Sequence, residues 1–178
     1  MDIKEAVNTA NLITDPRDKS FALSDKSEAL SEIAKAQAQV GYIEGALNTA
    51  NQITDTYEKS VALRDITRAQ ADRGDIPGAL NTAINLIDEP LYKSQALIYI
   101  AKAQDGDSKG AASTFQEALN TANLITNPFW ESVALRHIAK AQEETGDIQE
   151  ALNTVNQITY AYLKSEALRD IERAKEVK

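Results

Sequence analysis

The chain has 178 residues, 43% of them hydrophobic and 26% charged, with a net charge of −8 and a pI near 4.7. That length supports one domain with a sizeable core, and the acidic balance argues against general nucleic-acid binding through phosphate neutralisation. There is no Cys, which excludes disulfides and thiolate metal sites and fits a reducing cytoplasm. No apolar run reaches the roughly 20 residues a membrane helix needs, and the opening MDIKEAVNTA carries no secretory signal.

Taken in chain order, the apolar residues follow helical spacing throughout. The first expected element is a short helix over 3–13, within EAVNTANLIT (5–14). Asp15-Pro16, a capping side chain before a helix-opening Pro, introduces a longer helix over 16–39. Inside it KSFALSD (19–25) is followed by its near-copy KSEALSE (26–32). Seven added residues make about two α-turns, so the apolar face is preserved. A short helix is expected over 43–53, where Ala46, Leu47, Ala50 and Ile53 carry the spacing, and a long one over 56–73, with Val61, Leu63, Ile66 and Ala69.

Gly74-Asp75 then places a glycine where a helix ends and a cap where the next begins, over 76–87. A long helix over 90–104 leads into DGDSKGAAS (105–113), expected to lengthen a loop and the start of the helix over 110–125. Asn127-Pro128 opens 128–145, Gly146-Asp147 opens 148–158, and the last helix covers 161–177. This makes ten helices and no strand signals.

The short helices share one motif, whose alanines are Ala6, Ala46, Ala79, Ala118 and Ala151, at steps of 40, 33, 39 and 33 residues. The long helices share another: KSVALRDITRAQ from Lys59, KSQALIYIAKAQ from Lys93, ESVALRHIAKAQ from Glu131 and KSEALRDIERAK from Lys164. A period of about 33 residues, with insertions near 19–32 and 105–113, signals a stacked repeat protein. The expected fold is all-α: one repeat domain over 1–178, an α-solenoid of about five stacked antiparallel helix pairs joined by loops of two or three residues.

The run Gly-Asp-Ile-x-x-Ala-Leu in GDIQEAL (146–152) resembles the middle of a tetratricopeptide repeat. With Gly74 and Gly146 at that family's turn glycine, the large residue of the first helix becomes Leu30, Leu63, Leu97, Leu135 and Leu168. The Leu-small pair becomes Ile33-Ala34, Ile66-Thr67, Ile100-Ala101 and Ile138-Ala139, and the small residue of the second helix becomes Ala46, Ala79, Ala118 and Ala151. The chain departs from the family at Gln37, Gln70, Gln104 and Gln142, where an aromatic is usual, and at Ala50, Ala83, Ala122 and Val155, where a bulky aromatic is usual. The resemblance covers nearly the whole chain. It implies that one face of each first helix lines a concave groove for a peptide.

Catalysis has little to work with. His137 is the only His, in a column that elsewhere holds Asp65, Tyr99 and Asp170, and no Gly-rich phosphate loop is present. Neither a metal site nor a cofactor is expected. One column does carry repeated chemistry: two residues before each repeat Gln stands a base, Lys35, Arg68, Lys102 or Lys140, with Arg173 in the same place in the last copy. One turn earlier come Arg64, Arg136 and Arg169. Residues four apart share a helix face, so these eight form a basic ladder suited to an acidic or carboxylate-bearing peptide.

The competing reading is a solvated ladder of ion pairs, because Asp65, Glu32, Asp170 and Glu172 stand close by. The repeated Asn8, Asn48, Asn81, Asn120 and Asn153 read either as inter-repeat hydrogen bonds reaching the Gln column or as relics of duplication, with duplication favoured. Tyr57, Tyr92, Phe129, Trp130, Tyr160 and Tyr162 are expected to pack over repeat junctions, Trp130 and Tyr92 having the alternative of rimming a binding surface. The functional expectation is a non-enzymatic interaction module for another protein or peptide. Its rivals are an oligomerising element that seals through the unpaired helix over 3–13, and an RNA reader, which the acidic balance disfavours.

Overall fold

The computed structural model describes residues 19–176, and the expected helix over 3–13 lies outside them. Among the described residues the chain is all-α, with nine helices and no strand. They are α1 (Lys19–Gln39), α2 (Ile43–Ala50), α3 (Thr56–Ala71), α4 (Ile76–Leu86), α5 (Pro90–Ala103), α6 (Ser108–Ala122), α7 (Pro128–Glu144), α8 (Ile148–Gln157) and α9 (Ala161–Glu176). Among these residues no helix is long and apolar enough to cross a membrane.

The turn chemistry sits where the side chains demand it. Gly74 and Gly146 take φ of 80° and 90°, a left-handed backbone that only glycine enters without strain. The following Asp75 and Asp147 accept from the backbone N–H of Gly78 and Glu150 and so cap α4 and α8. Asp55, Asp107 and Asn127 cap α3, α6 and α7 in the same way. The duplicated heptads leave no mark on the backbone, since α1 runs unbroken through both copies.

Loops are longer than expected, three to five residues, because the short helices stop early. Ile53, Ile87 and Ile158 lie just past helix ends yet are 4%, 1% and 3% exposed. Each plugs its hairpin as an irregular residue, so the apolar spacing outlasts the helix that begins it.

The chain divides into two compact units, residues 1–92 and 93–178. In the first, α1 packs on α2 and α3, and α3 packs on α2 and α4. In the second, α7 packs on α6, α8 and α9, and α8 packs on α9. α1, α3, α7 and α9 thus each meet a short helix and another long helix. Leu30, Leu63 and Ile66 close the first core, and Leu135, Ile138 and Ile171 the second, all at most 2% exposed. The alanines of the short helices, Ala46, Ala79, Ala118 and Ala151, are all fully buried, as are Ala50, Ala83, Ala122 and Val155. Small side chains let paired helices approach closely, with large residues from the long helix filling the space between.

Candidate functional site

Three of the four repeat Gln residues are tied to a threonine, while Gln37, also buried, has no hydrogen-bond partner on its Oε1. Thr82 donates to Gln70 Oε1 at 2.8 Å, Thr114 to Gln104 Oε1 at 2.7 Å and Thr154 to Gln142 Oε1 at 2.7 Å. Each bond ties a long helix to its short partner inside a largely apolar interface. The Asn column does not reach it: Asn48, Asn81, Asn120 and Asn153 are exposed, and three of them accept from side chains one turn away on their own helices. Ser27 and Ser132 add a second tie, accepting from the backbone N–H of Asp55 and Tyr160 and so linking successive long helices.

The basic column takes a different form from the expected ladder, because acids interleave with it. In the first unit Lys35 pairs with Glu32 at 3.5 Å, Arg64 with Asp65 at 2.7 Å and Arg68 with Asp72 at 3.7 Å. In the second, Lys102 bonds Glu144 at 2.6 Å, and Lys140 approaches the other oxygen of that carboxylate at 4.0 Å. Arg136 turns toward α9, where Glu166 and Asp170 lie 3.4 and 3.6 Å from its Nη2. Arg169 and Arg173 stand exposed on α9. The sequence pointed to Asp65, Glu32 and Asp170 as neutralising neighbours. Asp72 and Glu144 stand one turn after Arg68 and Lys140, but the Glu144 bond to Lys102 and the Glu166 approach to Arg136 emerge only in the fold.

Four of the eight bases are gathered in clefts. Lys35 and Arg68 line one of about 290 Å³ between α1 and α3, with Asp65 and Asp72. Lys102 and Lys140 line one of about 310 Å³ between α5 and α7. The second is built from matching helix faces: Gln95, Ile98, Tyr99 and Lys102 on α5, and His137, Lys140, Ala141 and Glu144 on α7. Both sets follow the i, i+3, i+4, i+7 spacing of one helix face. Where the first unit has Asp65, the second has His137. The His137 imidazole is held below its usual pKa, by desolvation against the groove wall and then by the Arg136 and Lys140 charges. It is therefore neutral at pH 7, and the two lysines face a single carboxylate.

Five of the six aromatics expected at junctions make ring contacts, whereas Tyr162 is 71% exposed and donates to Glu166 one turn on in its own helix. Tyr57 meets Tyr92 edge-on at 5.3 Å, with Arg64 lying 5.4 Å from the Tyr92 ring centre. Burial, then Tyr57, push the Tyr92 phenol pKa upward. Phe129 meets both Trp130 and Tyr160 edge-on, at 5.1 and 5.4 Å. Trp130 nevertheless remains 47% exposed. Among the described residues no group of His and carboxylates converges as a metal site would require. The chain matches no protein-family model and no curated protein at a significant level.

Proposed function

We propose that this chain is a tetratricopeptide-like repeat scaffold, its helix pairs stacked as a solenoid, that docks a segment of another protein on the faces of its long helices. The anchor is the groove between α5 and α7. The observation that carries the reading is that two lysines from successive long helices share one carboxylate, Glu144, at the mouth of a groove floored by Ile98 and Ala141.

Both partners in the Lys102–Glu144 pair are well exposed, at 45% and 37%. Such a pair contributes about 0–1 kcal/mol. An incoming carboxylate that displaces Glu144 therefore gives up little and gains two ammonium groups that the helices already hold in place. Arg68 and Lys35 form the corresponding pair in the first unit, and Arg64, Arg136, Arg169 and Arg173 complete the basic set at secondary positions.

The test is titration of acidic synthetic peptides against the intact chain. Joint Lys102→Ala and Lys140→Ala substitution weakens binding by tenfold or more, about 1.4 kcal/mol, with helicity unchanged by circular dichroism. Glu144→Gln removes the internal competitor and tightens it. Unchanged affinity in both variants would overturn the reading.

A further inference from the structure

The Lys102–Glu144 bridge has a second side. Beyond it lies a larger cleft of about 570 Å³, to which Lys102 and Glu144 also contribute. Its other charged groups are Asp105, on the loop after α5, and Asp147, which caps α8 with one carboxylate oxygen. Its apolar wall is Ala111, Ala112 and Phe115 on α6. A single bridge thus separates two spaces of opposite sign. On the α5–α7 side, Lys102 and Lys140 against Glu144 leave one net positive charge. On the α6 side, Asp105, Asp147 and Glu144 against Lys102 leave two net negative charges.

From this we infer that the partner segment is bipolar: a carboxylate side chain seats toward Lys102 and Lys140, and a neighbouring Lys or Arg seats in the α6 cleft with its methylene stem along Ala111, Ala112 and Phe115. The inference rests on the groove reading above and adds to it the partner's chemistry and direction. The volume suits it, since ligand-binding clefts run to roughly 300–1,000 Å³, which leaves room here for an extended side chain and a neighbour. The wall suits a long cationic side chain, whose stem covers apolar surface while its head stays with the acids. The carboxylates are spread around the cleft and do not converge as metal ligands would, so they address a charge carried on a larger molecule. A purely acidic peptide would gain at the lysines and lose at Asp105 and Asp147. A bipolar one gains at both, and only in one orientation.

The experiment uses short synthetic peptides and isothermal titration with the intact chain. One series carries a Glu and an Arg at several spacings, and a matched series replaces the Arg by Gln. The bipolar peptides bind more tightly at one preferred spacing. Asp105 stands on an exposed loop, so Asp105→Asn spares the fold. It weakens the bipolar peptide about two- to fivefold, the range of an exposed ion pair, and leaves the Gln peptide unchanged. Asp105→Arg combined with a peptide whose Arg is replaced by Glu restores the loss. If Arg and Gln peptides bind alike at every spacing, the bipolar inference falls and the lysine groove stands. If neither series binds, both fall.

Discussion

A hydroxyl placed seven residues after the capping Asp determines how α4, α6 and α8 are held. Thr82, Thr114 and Thr154 stand seven positions after Asp75, Asp107 and Asp147, and each hydroxyl meets a Gln carbonyl from the preceding long helix. Thr154 is fully buried, and Gln142 is 2% exposed. Thr154→Val keeps the shape and strands the Gln142 acceptor. It should cost about 1–3 kcal/mol in urea unfolding, with part of that loss recovered when Gln142→Leu is added. Additive losses would show that the bond is not what matters. His137 makes a prediction of the opposite kind. Its folded pKa lies below the ordinary value, so the unfolded chain takes up the proton first as pH falls through about 6.5. The stability associated with neutral His137 is present above that pH and is lost on acidification. His137→Gln should therefore flatten the stability profile between neutral and mildly acidic pH, and an unchanged slope would contradict the assignment. The Gln column was visible in the sequence, and Thr82 and Thr154 recur in the short-helix motif, whereas Thr114 lies outside it. The pairing of Gln with Thr was not visible, because a repeat shows which residues recur but not which recurring residues meet.

At the scale of the element, α6 shows how the repeat absorbs an irregular insertion. Its cap, Asp107, stands three residues after Gln104, whereas Asp75 and Asp147 stand five after Gln70 and Gln142. The alanine of the motif stands four residues after Asp75 and Asp147 but eleven after Asp107. The helix thus gains two turns at its start and the loop gives up two residues, which accounts for five of the six residues by which the 39-residue step exceeds 33. Because seven residues restore the helix face, Thr114 takes over the bond that Thr121 would otherwise have made, and the added turns supply Ala111 and Ala112 to the cleft wall beside Phe115. The turn glycines have a separable role. A Cβ at Gly74 would meet nothing within 4 Å, so the cost of Gly74→Ala is the strain of φ +80° alone. That cost should be about 1 kcal/mol by chemical denaturation. A neutral result would mean that the turn relaxes to another geometry.

At the scale of the whole molecule, each unit carries its own buried centre. Ile66 and Ile138 are both fully buried and occupy the same repeat position. Replacing either by Ala should cost about 2–5 kcal/mol in equilibrium unfolding. A cost below 1 kcal/mol at either would show that its unit is loosely packed. The net charge of −8 acts on the molecule as a whole. It keeps the lysine groove a local positive feature within an acidic protein, which favours a partner read by geometry over one attracted by bulk field.

Helix order, the capping and turn residues and the columns that fill the core all follow from the sequence, because each depends on spacing along one helix or on the side chain at one turn. The mixed charge of the basic column was legible only in part. Glu32 and Asp65 stand beside their bases in sequence, whereas Glu144 reaches Lys102 from 42 residues away. Which side of that bridge is positive and which is negative is a property of three helices and two loops brought together. Only tertiary packing could decide it, because charges interact through space and linear spacing records just those that share a helix.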